Sequence, residues 1–304
     1  MTQSQYDRGH FVEVLRGSSI IRKPQDRSHG RTLFIVGYLL WLSGFLALLA
    51  VIWFGTQDDP DDYSIPGLIA QRDHAAATSI LGVIPILLIT AGWVAGVYLM
   101  NKGQRMQTPD VFSELDRLPD RRPILFLRPF SRDNTEGFFK FRTSTGDGFE
   151  MTVAKEMRKV GPVIAVGKPG EALPPIGAAR FYIGDEYWKP TIIEILAASQ
   201  FILLVYGSTA GLLWELQQIV ESIDPSKLII CIPRQRNLGR EHAAWQEFRE
   251  KTRHIFPQPL PESVESAIFL RFEESWKPAL VGVGGSRTGK RAIRKALHAC
   301  IGPP

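Results

Sequence analysis

The chain has 304 residues, and 36 Lys and Arg against 31 Asp and Glu give a net charge of +5. Hydrophobic residues make up 44% and charged residues 22%, which excludes a disordered chain, a collagen-like repeat and a many-span membrane protein. Cys231 and Cys300 are the only two cysteines, so a disulfide scaffold and a four-cysteine zinc site are also excluded.

Two long apolar segments predict two transmembrane helices. Residues 33–54 and 79–100 each run for 22 residues without a charge. At about 1.5 Å of rise per residue, each is long enough to cross the roughly 30 Å hydrocarbon core of a bilayer. A cleaved signal peptide is not expected, because the first segment starts after 32 residues and exceeds the usual apolar core of a signal.

The flanking charges predict the orientation of these spans. Residues 1–32 carry six basic groups, and further basic residues follow the second span. The connecting loop, 55–78, carries one Arg against five Asp. Because basic flanks stay on the cytoplasmic side, we expect a protein of the cell membrane with both termini in the cytoplasm and a short acidic loop outside.

Outside the two spans and their loop, the sequence predicts four segments. They are a cytoplasmic N-terminal segment (1–32), a polar linker (101–122), an α/β domain (123–278) and a basic C-terminal tail or helix (279–304). Short β-rich apolar runs alternate with amphipathic helical patterns in the domain. The strands are expected at 124–127, 163–166, 201–205, 228–232 and 267–272, and the helices at 149–160, 188–199, 211–222 and 241–255. This alternation predicts a doubly wound, flavodoxin-like, parallel five-stranded sheet.

In such a sheet, ligands bind beyond the carboxyl ends of the strands. The loops that follow the predicted strands bring basic, hydroxyl and acidic side chains to this edge: Arg128, Arg132, Asp133, Lys168, Ser208 and Glu215. Gly207 and Gly211 allow close backbone approach at a helix start, which favours an anion. The combination predicts a nucleotide ligand.

The same residues carry a family resemblance. The order Arg128-Pro-Phe-Ser-Arg-Asp133, then Ser199-Gln-Phe-Ile-Leu-Leu-Val205, then Gly207-Ser-Thr-Ala-Gly-Leu-Leu-Trp-Glu-Leu216 resembles a Toll/interleukin-1 receptor (TIR)-like domain. Nucleoside deoxyribosyltransferase-like proteins share this architecture. The resemblance covers about residues 123–272. One departure is that the family separates its Trp and Glu by three residues, whereas here Gly211 stands where that Trp is usual.

The resemblance implies cleavage of the nicotinamide–ribose bond of NAD, with Glu215 as the catalytic carboxylate. It also implies that the Arg128/Arg132 loop approaches the phosphates and that Trp214 or Phe130 stacks on a ring. NAD would be a substrate, and neither a metal nor another cofactor is needed. Such domains usually act when assembled, so a homo-oligomer is expected.

The residues themselves leave alternatives open. On a helical wheel, Glu215 lies at the border of the apolar stripe centred on Leu216, and Trp214 points away. Glu215 is therefore either a half-buried group with a raised pKa or a solvated glutamate near a helix N-terminus. An exposed Trp214 would need a surface to cover it. Arg128, Arg132 and Asp133 form either part of the site or an ion pair that ties down their loop.

A second motif lies near the C-terminus. Gly284-Gly-Ser-Arg-Thr-Gly-Lys290 has the spacing of a phosphate-binding loop, but Arg291 replaces the Ser/Thr that would hold magnesium and only 14 residues follow Lys290. We therefore do not predict a nucleoside triphosphatase. The basic residues 287–295 suit anionic membrane lipid. Nucleic acid is not expected, because no aromatic platform or known binding motif accompanies them.

Two function classes remain from the sequence. The first is a membrane-anchored NAD glycohydrolase that acts as a stress or defence effector. The second is a non-catalytic module that binds a nucleotide or a protein and passes the signal to the spans. A pore is not expected, because neither span contains a charged residue.

Overall fold

The computed structural model describes residues 7–18, 27–55, 87–107, 109–129, 145–167, 178–184, 186–233, 238–265, 267–282 and 289–302. The chain forms two compact units. One comprises Met1–Pro24 together with Thr108–Pro304, and the other comprises Gln25–Gln107. The first unit holds the α/β domain, and the second holds the long apolar helices.

The helices of the first unit alternate with its strands along most of the chain. The strands are β1 (Ile124–Leu127), β2 (Val163–Val166), β3 (Ala179–Phe181), β4 (Phe201–Val205), β5 (Leu228–Cys231), β6 (Phe269–Phe272) and β7 (Pro278–Val281). The helices, counted along the whole chain, are α1 (Arg8–Ser18), α4 (Val111–Arg117), α5 (Thr145–Met157), α6 (Trp188–Ala198), α7 (Ala210–Ser222), α8 (Leu238–Lys251) and α9 (Lys290–Ile301). The second unit holds α2 (Arg27–Gly55) and α3, whose described part covers 87–106.

The mixed α/β fold and a mostly parallel sheet are confirmed, with two differences. The strand order is β3-β2-β1-β4-β5-β6-β7. The first five of these are parallel, but β6 is antiparallel to β5 and β7 is antiparallel to β6. The sheet therefore has seven strands instead of the five expected, and the fifth predicted strand runs in the opposite direction.

The reversal of β6 has a local cause. After α8, the chain runs back along that helix instead of passing directly into the next strand. Trp245 donates from Nε1 to the carbonyl of Pro261 at 2.9 Å, and Arg249 donates from Nε to the carbonyl of Leu260 at 3.1 Å. The returning segment thus brings the chain to the carboxyl edge of the sheet, so β6 must enter antiparallel to β5.

The sheet is covered on both faces, as its apolar strands require. Alternate residues along each strand contribute to two separate cores. One core contains the buried faces of α1, α4, α6, α7 and α8, and the other contains those of α5 and α9. We call these the α7 face and the α5 face of the sheet.

The N-terminal helix α1 belongs to this domain, although two apolar helices separate it from the rest in sequence. Its Phe11 and Leu15 are buried in the α7-face core. Arg8 forms an ion pair with Asp116, and the guanidinium of Arg16 lies 5.5 Å from the ring centre of Phe112. The segment 1–32 is therefore more than a flanking tail, because part of it completes the domain. At the other end, the predicted basic tail 279–304 contains most of β7 and all of α9, which pack on the domain.

Within the second unit, α2 and α3 pack as an antiparallel pair along a seam of glycines. A Cβ on Gly37 would lie 2.5 Å from the carbonyl oxygen of Gly96, and one on Gly103 would lie 2.5 Å from that of Gly30. Glycines seven residues apart on both helices therefore let the two backbones approach too closely for any side chain. Among the described residues, Arg27–Ala50 is the stretch long and apolar enough to span a membrane. The start of the second predicted span, 79–86, lies outside the described residues.

Candidate functional site

The strand order shows that the chain reverses its direction across the sheet between the neighbouring strands β1 and β4. We call this place the β1/β4 switch point. From β1 the chain moves outwards to β2 and β3, and then returns to β4 on the other side of β1. In doubly wound folds this is where ligands bind. The loops after these strands touch, because a Cβ on Gly207 would lie only 2.7 Å from the ring Cγ of Pro129. Glycine at 207 is thus required for the close approach of the two loops.

Glu215 lies on the buried side of α7, the helix that follows β4. It shares that side with Leu212, Leu216 and Ile219, and only 6% of the residue is exposed. Its carboxyl group makes no hydrogen bond or ion pair with any residue that the structure describes. Burial alone raises the pKa of Glu215 to about 8. Of the two sequence interpretations, the structure therefore favours the buried acid over the solvated surface glutamate.

Trp188 and Trp214 cover the start of α7. The ring centres of the two indoles are 4.8 Å apart, and the Nζ of Lys189 lies 5.4 Å from the centre of the Trp214 ring. Ring carbons of Trp188 lie 3.6 and 3.7 Å from the position that a Cβ on Gly211 would take. The covering surface that Trp214 requires is thus supplied by α6. The Nε1–H of Trp188 is buried and has no hydrogen-bond partner in the described part of the chain.

The residues just after β4 are held by α8. Tyr206 is fully buried, and its ring packs edge-on against Trp245 at 5.4 Å and beside Phe248 at 5.8 Å. The Ser208 hydroxyl is directed to the carboxylate of Glu247, whose pKa is lowered by hydrogen bonds from Lys251 and from Ser208. These contacts fix the loop that leads into α7, and they turn Ser208 towards α8.

Arg128 follows β1 but lies on the α5 face. Its Nη1 is 3.3 Å from Oε2 of Glu150 on α5, and the side chains of the pair are 7% and 13% exposed. Glu215 lies on the α7 face. The structure thus brings Arg128 and Glu215 to the same edge of the sheet but to opposite faces. Arg128 forms an ion pair with Glu150, a partner that the sequence alternatives did not name, and Arg132 and Asp133 lie outside the described residues.

Other predicted site residues lie outside the described part of the chain. They are Phe130, Arg132, Asp133 and Lys168. Of the predicted residues, Trp214 packs against Trp188, which also lies over Gly211; neither Trp188 nor Gly211 was among the predicted site residues. Ser208 is close in sequence but contacts α8 instead.

Residues 284–288 of the Gly284–Lys290 motif lie outside the described residues, but helix α9, which begins at Lys290, is placed unlike the helix of a phosphate-binding loop. Arg294 of α9 bonds Glu156 at 3.1 Å, near the end of α5 at the amino edge of the sheet. Cys300, at the other end of α9, lies close enough to Cys231, the last residue of β5, to help burial raise its pKa. Helix α9 therefore starts near the amino edge, whereas a phosphate-binding helix starts where its strand ends.

Sequence reasoning missed Trp188 and Glu150, and each gave a partial signal. Trp188 is the first residue of its helix and lies on the apolar face that the sequence pattern predicts, so the pattern assigns it to the core. Its nearness to Gly211 depends on the packing of α6 against α7, which periodicity does not encode. Glu150 lies 22 residues after Arg128, on the next helix, so only the strand-to-helix geometry shows the pair.

Searches against protein-family models, curated proteins and solved structures find no match to this chain. The candidate site is therefore defined by its geometry: a buried carboxyl group at the switch point of a doubly wound sheet, with no polar partner in the part of the chain that the structure describes.

Proposed function

We propose that the chain is a membrane-anchored, TIR-like protein whose α/β domain cleaves the nicotinamide–ribose bond of NAD at Glu215, and that it acts as a stress or defence effector. The observation that carries the proposal is the Glu215 carboxyl group, which is buried beside the β1/β4 switch point without a polar partner among the residues with described positions. Buried acids with strongly raised pKa values are concentrated at functional sites. The resemblance supplies the reaction.

The chemistry that Glu215 would perform is charge stabilisation. As the bond between the ribose carbon and the nicotinamide nitrogen breaks, nicotinamide leaves as a neutral molecule and the ribose carbon becomes cationic. Ionised Glu215 stabilises that charge, and water then adds to the carbon and releases a proton. The products are nicotinamide and ADP-ribose.

This role requires Glu215 to lose its proton. With a pKa of about 8 in the free protein, the group is mostly protonated at neutral pH. We therefore expect kcat/KM for NAD to rise with pH up to about 8 and then level off. The pyridinium ring of NAD carries a positive charge, so its binding lowers the pKa of Glu215 and kcat should level off at a lower pH than kcat/KM.

The test uses the full chain in liposomes, because a fragment that begins after the spans would lack α1. NAD is added, and released nicotinamide is measured for wild type, Glu215→Gln and Glu221→Gln. Glu221 is an exposed glutamate on the same helix and serves as the matched control. We expect a loss of at least about 100-fold in Glu215→Gln only. Unchanged release in Glu215→Gln, or none from assembled wild type, contradicts the proposal.

The alternative is a non-catalytic module that binds a nucleotide or a protein and signals to the membrane. The observation that favours it is that Glu215 is only 6% exposed and Arg128 is held by Glu150. Calorimetry with NAD and ADP-ribose separates the two functions, because a signalling module would bind without releasing nicotinamide.

For the membrane part, we propose two spans with both termini in the cytoplasm. Helix α1 precedes the first apolar helix, yet it folds into one unit with residues 108–304. Segments that share a folded unit lie on the same side of a membrane, so the chain between them crosses an even number of times. The antiparallel α2/α3 packing along the glycine seam supports two crossings.

Labelling of introduced cysteines tests this topology. A membrane-impermeant maleimide added outside intact cells should label Ser64→Cys in the connecting loop and spare Ser4→Cys at the N-terminus. The native background is low, because Cys231 is buried and burial raises the pKa of Cys300 to about 12. Labelling of both positions from outside would overturn the topology.

We also propose two interactions, one with membrane lipid and one with other copies of the chain. Lys290, Arg291 and Lys295 are exposed on α9, and they suit anionic lipid headgroups, whereas Arg294 is engaged by Glu156. Self-assembly is expected from the resemblance, and the liposome assay at increasing protein density tests it through the rate per molecule.

A further inference from the structure

Helices α5 and α9 lie side by side on the α5 face of the sheet. The Nε of Arg294 on α9 lies 3.1 Å from the carboxylate of Glu156 on α5. Because α5 connects β1 to its parallel neighbour β2, it runs from the carboxyl edge of the sheet to the amino edge. Helix α9 starts near that same edge, so the end of α5 and the start of α9 are neighbours.

These neighbouring ends carry a group of exposed cations. We call the group the α5/α9 basic surface, and its members are Lys155, Lys159, Lys290, Arg291, Arg294 and Lys295. Lys159 and Arg294 both bond the carboxylate of Glu156, whose side chain is 4% exposed. The other four cations form no ion pair with any residue that the structure describes.

The side chains described on these two helices expose no acid. Helix α9 contains no acidic residue. On α5, Glu150 is 13% exposed and pairs with Arg128, and Glu156 is buried between its two cations. The six cations of the surface are therefore balanced by one buried carboxylate, and such an excess of positive charge attracts an anionic partner.

An exposed apolar side chain extends the surface along α5. Met151 lies four residues before Lys155, on the same side of the helix, and is 39% exposed. Helices that lie on a membrane combine these two features, because their basic groups meet the lipid headgroups while their apolar side chains enter the acyl boundary. A nucleic acid would use the charges but would leave Met151 in water, so the combination favours lipid.

We propose that the α5/α9 basic surface docks the α/β domain on anionic membrane lipid, with Met151 entering the headgroup region. The proposal extends the lipid contact proposed for α9 to a second helix. It rests on the proposed membrane anchor but not on NAD cleavage. Because the surface lies at the amino edge of the α5 face, docking turns the opposite edge of the sheet, where the candidate site lies, away from the lipid and towards soluble substrate.

The test uses the full chain in nanodiscs, with a fluorophore whose emission moves to shorter wavelength in lipid. Met151→Cys carries the label on the surface, and Ile193→Cys, at a position 46% exposed on α6, is the matched control on the other face. Labelling is selective, because Cys231 is buried and burial raises the pKa of Cys300 to about 12. We expect phosphatidylserine, but not phosphatidylcholine alone, to shift the label at 151 only, and high salt to reverse the shift.

Neutral variants test the two helices separately. Lys155→Gln and Lys295→Gln each remove one cation, from α5 and from α9. We expect each to lower the ratio of docked to undocked domain about fivefold, as read from the label at 151. Arg253→Gln is the control, because it removes an exposed arginine that follows α8 on the α7 face, and it should leave the ratio unchanged.

The outcomes separate this inference from the proposed function. A label at 151 that stays in water on phosphatidylserine, or an equal shift of the label at 193, overturns the docking surface. If Lys295→Gln weakens docking and Lys155→Gln does not, the two-helix surface is overturned and the lipid contact of α9 stands alone. A label that responds to an added RNA oligonucleotide but not to phosphatidylserine also overturns it. Nicotinamide release from the same samples without a lipid response leaves the NAD proposal standing, and the reverse result leaves only the docking surface.

Discussion

Glu215, on the α7 face of the sheet, differs in its partners from the buried carboxyl groups of Glu114, Glu150 and Glu156. Glu114 of α4, also on the α7 face, is 3% exposed and pairs with Arg117 and Arg158. On the α5 face, Glu150 pairs with Arg128, and Glu156 is held by Lys159 and Arg294. On the α7 face, Glu215 is buried to a similar degree but meets no cation among the described residues. Because Glu150 and Glu156 have cationic partners, their burial is explained by the structure of the domain alone. The contrast assigns structure to the paired acids and function to the unpaired one.

The largest effect is expected where a buried pair is broken. Glu150→Gln removes the carboxylate that pairs with the guanidinium of Arg128, whose side chain is 7% exposed. Such a loss typically costs about 3–5 kcal/mol of unfolding free energy. Urea unfolding of the full chain in nanodiscs, followed by tryptophan fluorescence, measures it against Glu221→Gln. If Glu150→Gln lowers the free energy of unfolding no more than Glu221→Gln does, the ion pair contributes little to stability. The contrast between Glu215 and the paired carboxyl groups would then not hold.

Glu215→Gln should raise the free energy of unfolding instead of lowering it, and the size of this gain should depend on pH. Burial raises the pKa of Glu215 from its ordinary 4.5 to about 8, so the folded state holds a proton that the unfolded state releases. Between about pH 4.5 and 8, this group makes stability fall as pH rises, by up to about 1.4 kcal/mol per pH unit. The amide cannot titrate, so the variant should gain stability relative to wild type across this window.

The same urea series at pH 5, 6, 7 and 8 measures this difference. We expect the two proteins to be similar at pH 5 and to separate progressively towards pH 8. Parallel stability curves would show that Glu215 is ionised in the folded protein, which would remove the basis for calling it unpaired.

Glu156→Gln should act at the acid end, with a smaller effect. Burial acts to raise the pKa of Glu156, but hydrogen bonds and charges from Lys159 and Arg294 outweigh it and lower the pKa below its ordinary value. Its contribution to stability is therefore present above about pH 4.5 and is lost as pH falls through the lowered pKa. We expect the variant to be less stable than wild type near neutral pH and to approach it in acid. A constant difference across this range would contradict the assignment.

The sequence predicted the strands of this fold better than their direction. Runs at 124–127, 163–166 and 201–205 match β1, β2 and β4 in both bounds, because buried parallel strands are compact and rich in β-branched or aliphatic residues. The short strand β3 and the edge strand β7 were not predicted, and β6 was predicted as a strand but with the wrong direction. The direction of β6 depends on hydrogen bonds between α8 and the segment that returns along it, which the apolar pattern of the strand does not contain.

The candidate site was predictable in part for the same reason. Glu215 could be identified from its place on a helix after a strand, and the border position on the helical wheel was consistent with burial. The pairing of Arg128 with Glu150, and the position of Trp188 over Gly211, are contacts between different elements. They depend on how helices pack on the sheet, so a sequence alone gives the residues without their partners.

The smallest effect on stability is expected at Gly211, which lies one turn before Glu215 on α7. A Cβ on Gly211 would lie 3.6 Å from the Trp188 ring, which is ordinary contact, and alanine favours a helix over glycine by roughly 0.5–1 kcal/mol. Gly211→Ala should therefore be slightly more stable than wild type, whereas Gly207→Ala, whose Cβ would lie 2.7 Å from Pro129, should lose about 1–3 kcal/mol.

Urea unfolding and NAD-dependent nicotinamide release, measured on both variants, separate the two glycines. Gly207 serves the fold, because no side chain fits between the loops. Gly211 gives up helix stability where space would allow a methyl group, which is expected of a residue that keeps room for a ligand. A stabilised Gly211→Ala with undiminished activity would show that activity does not require glycine at this position.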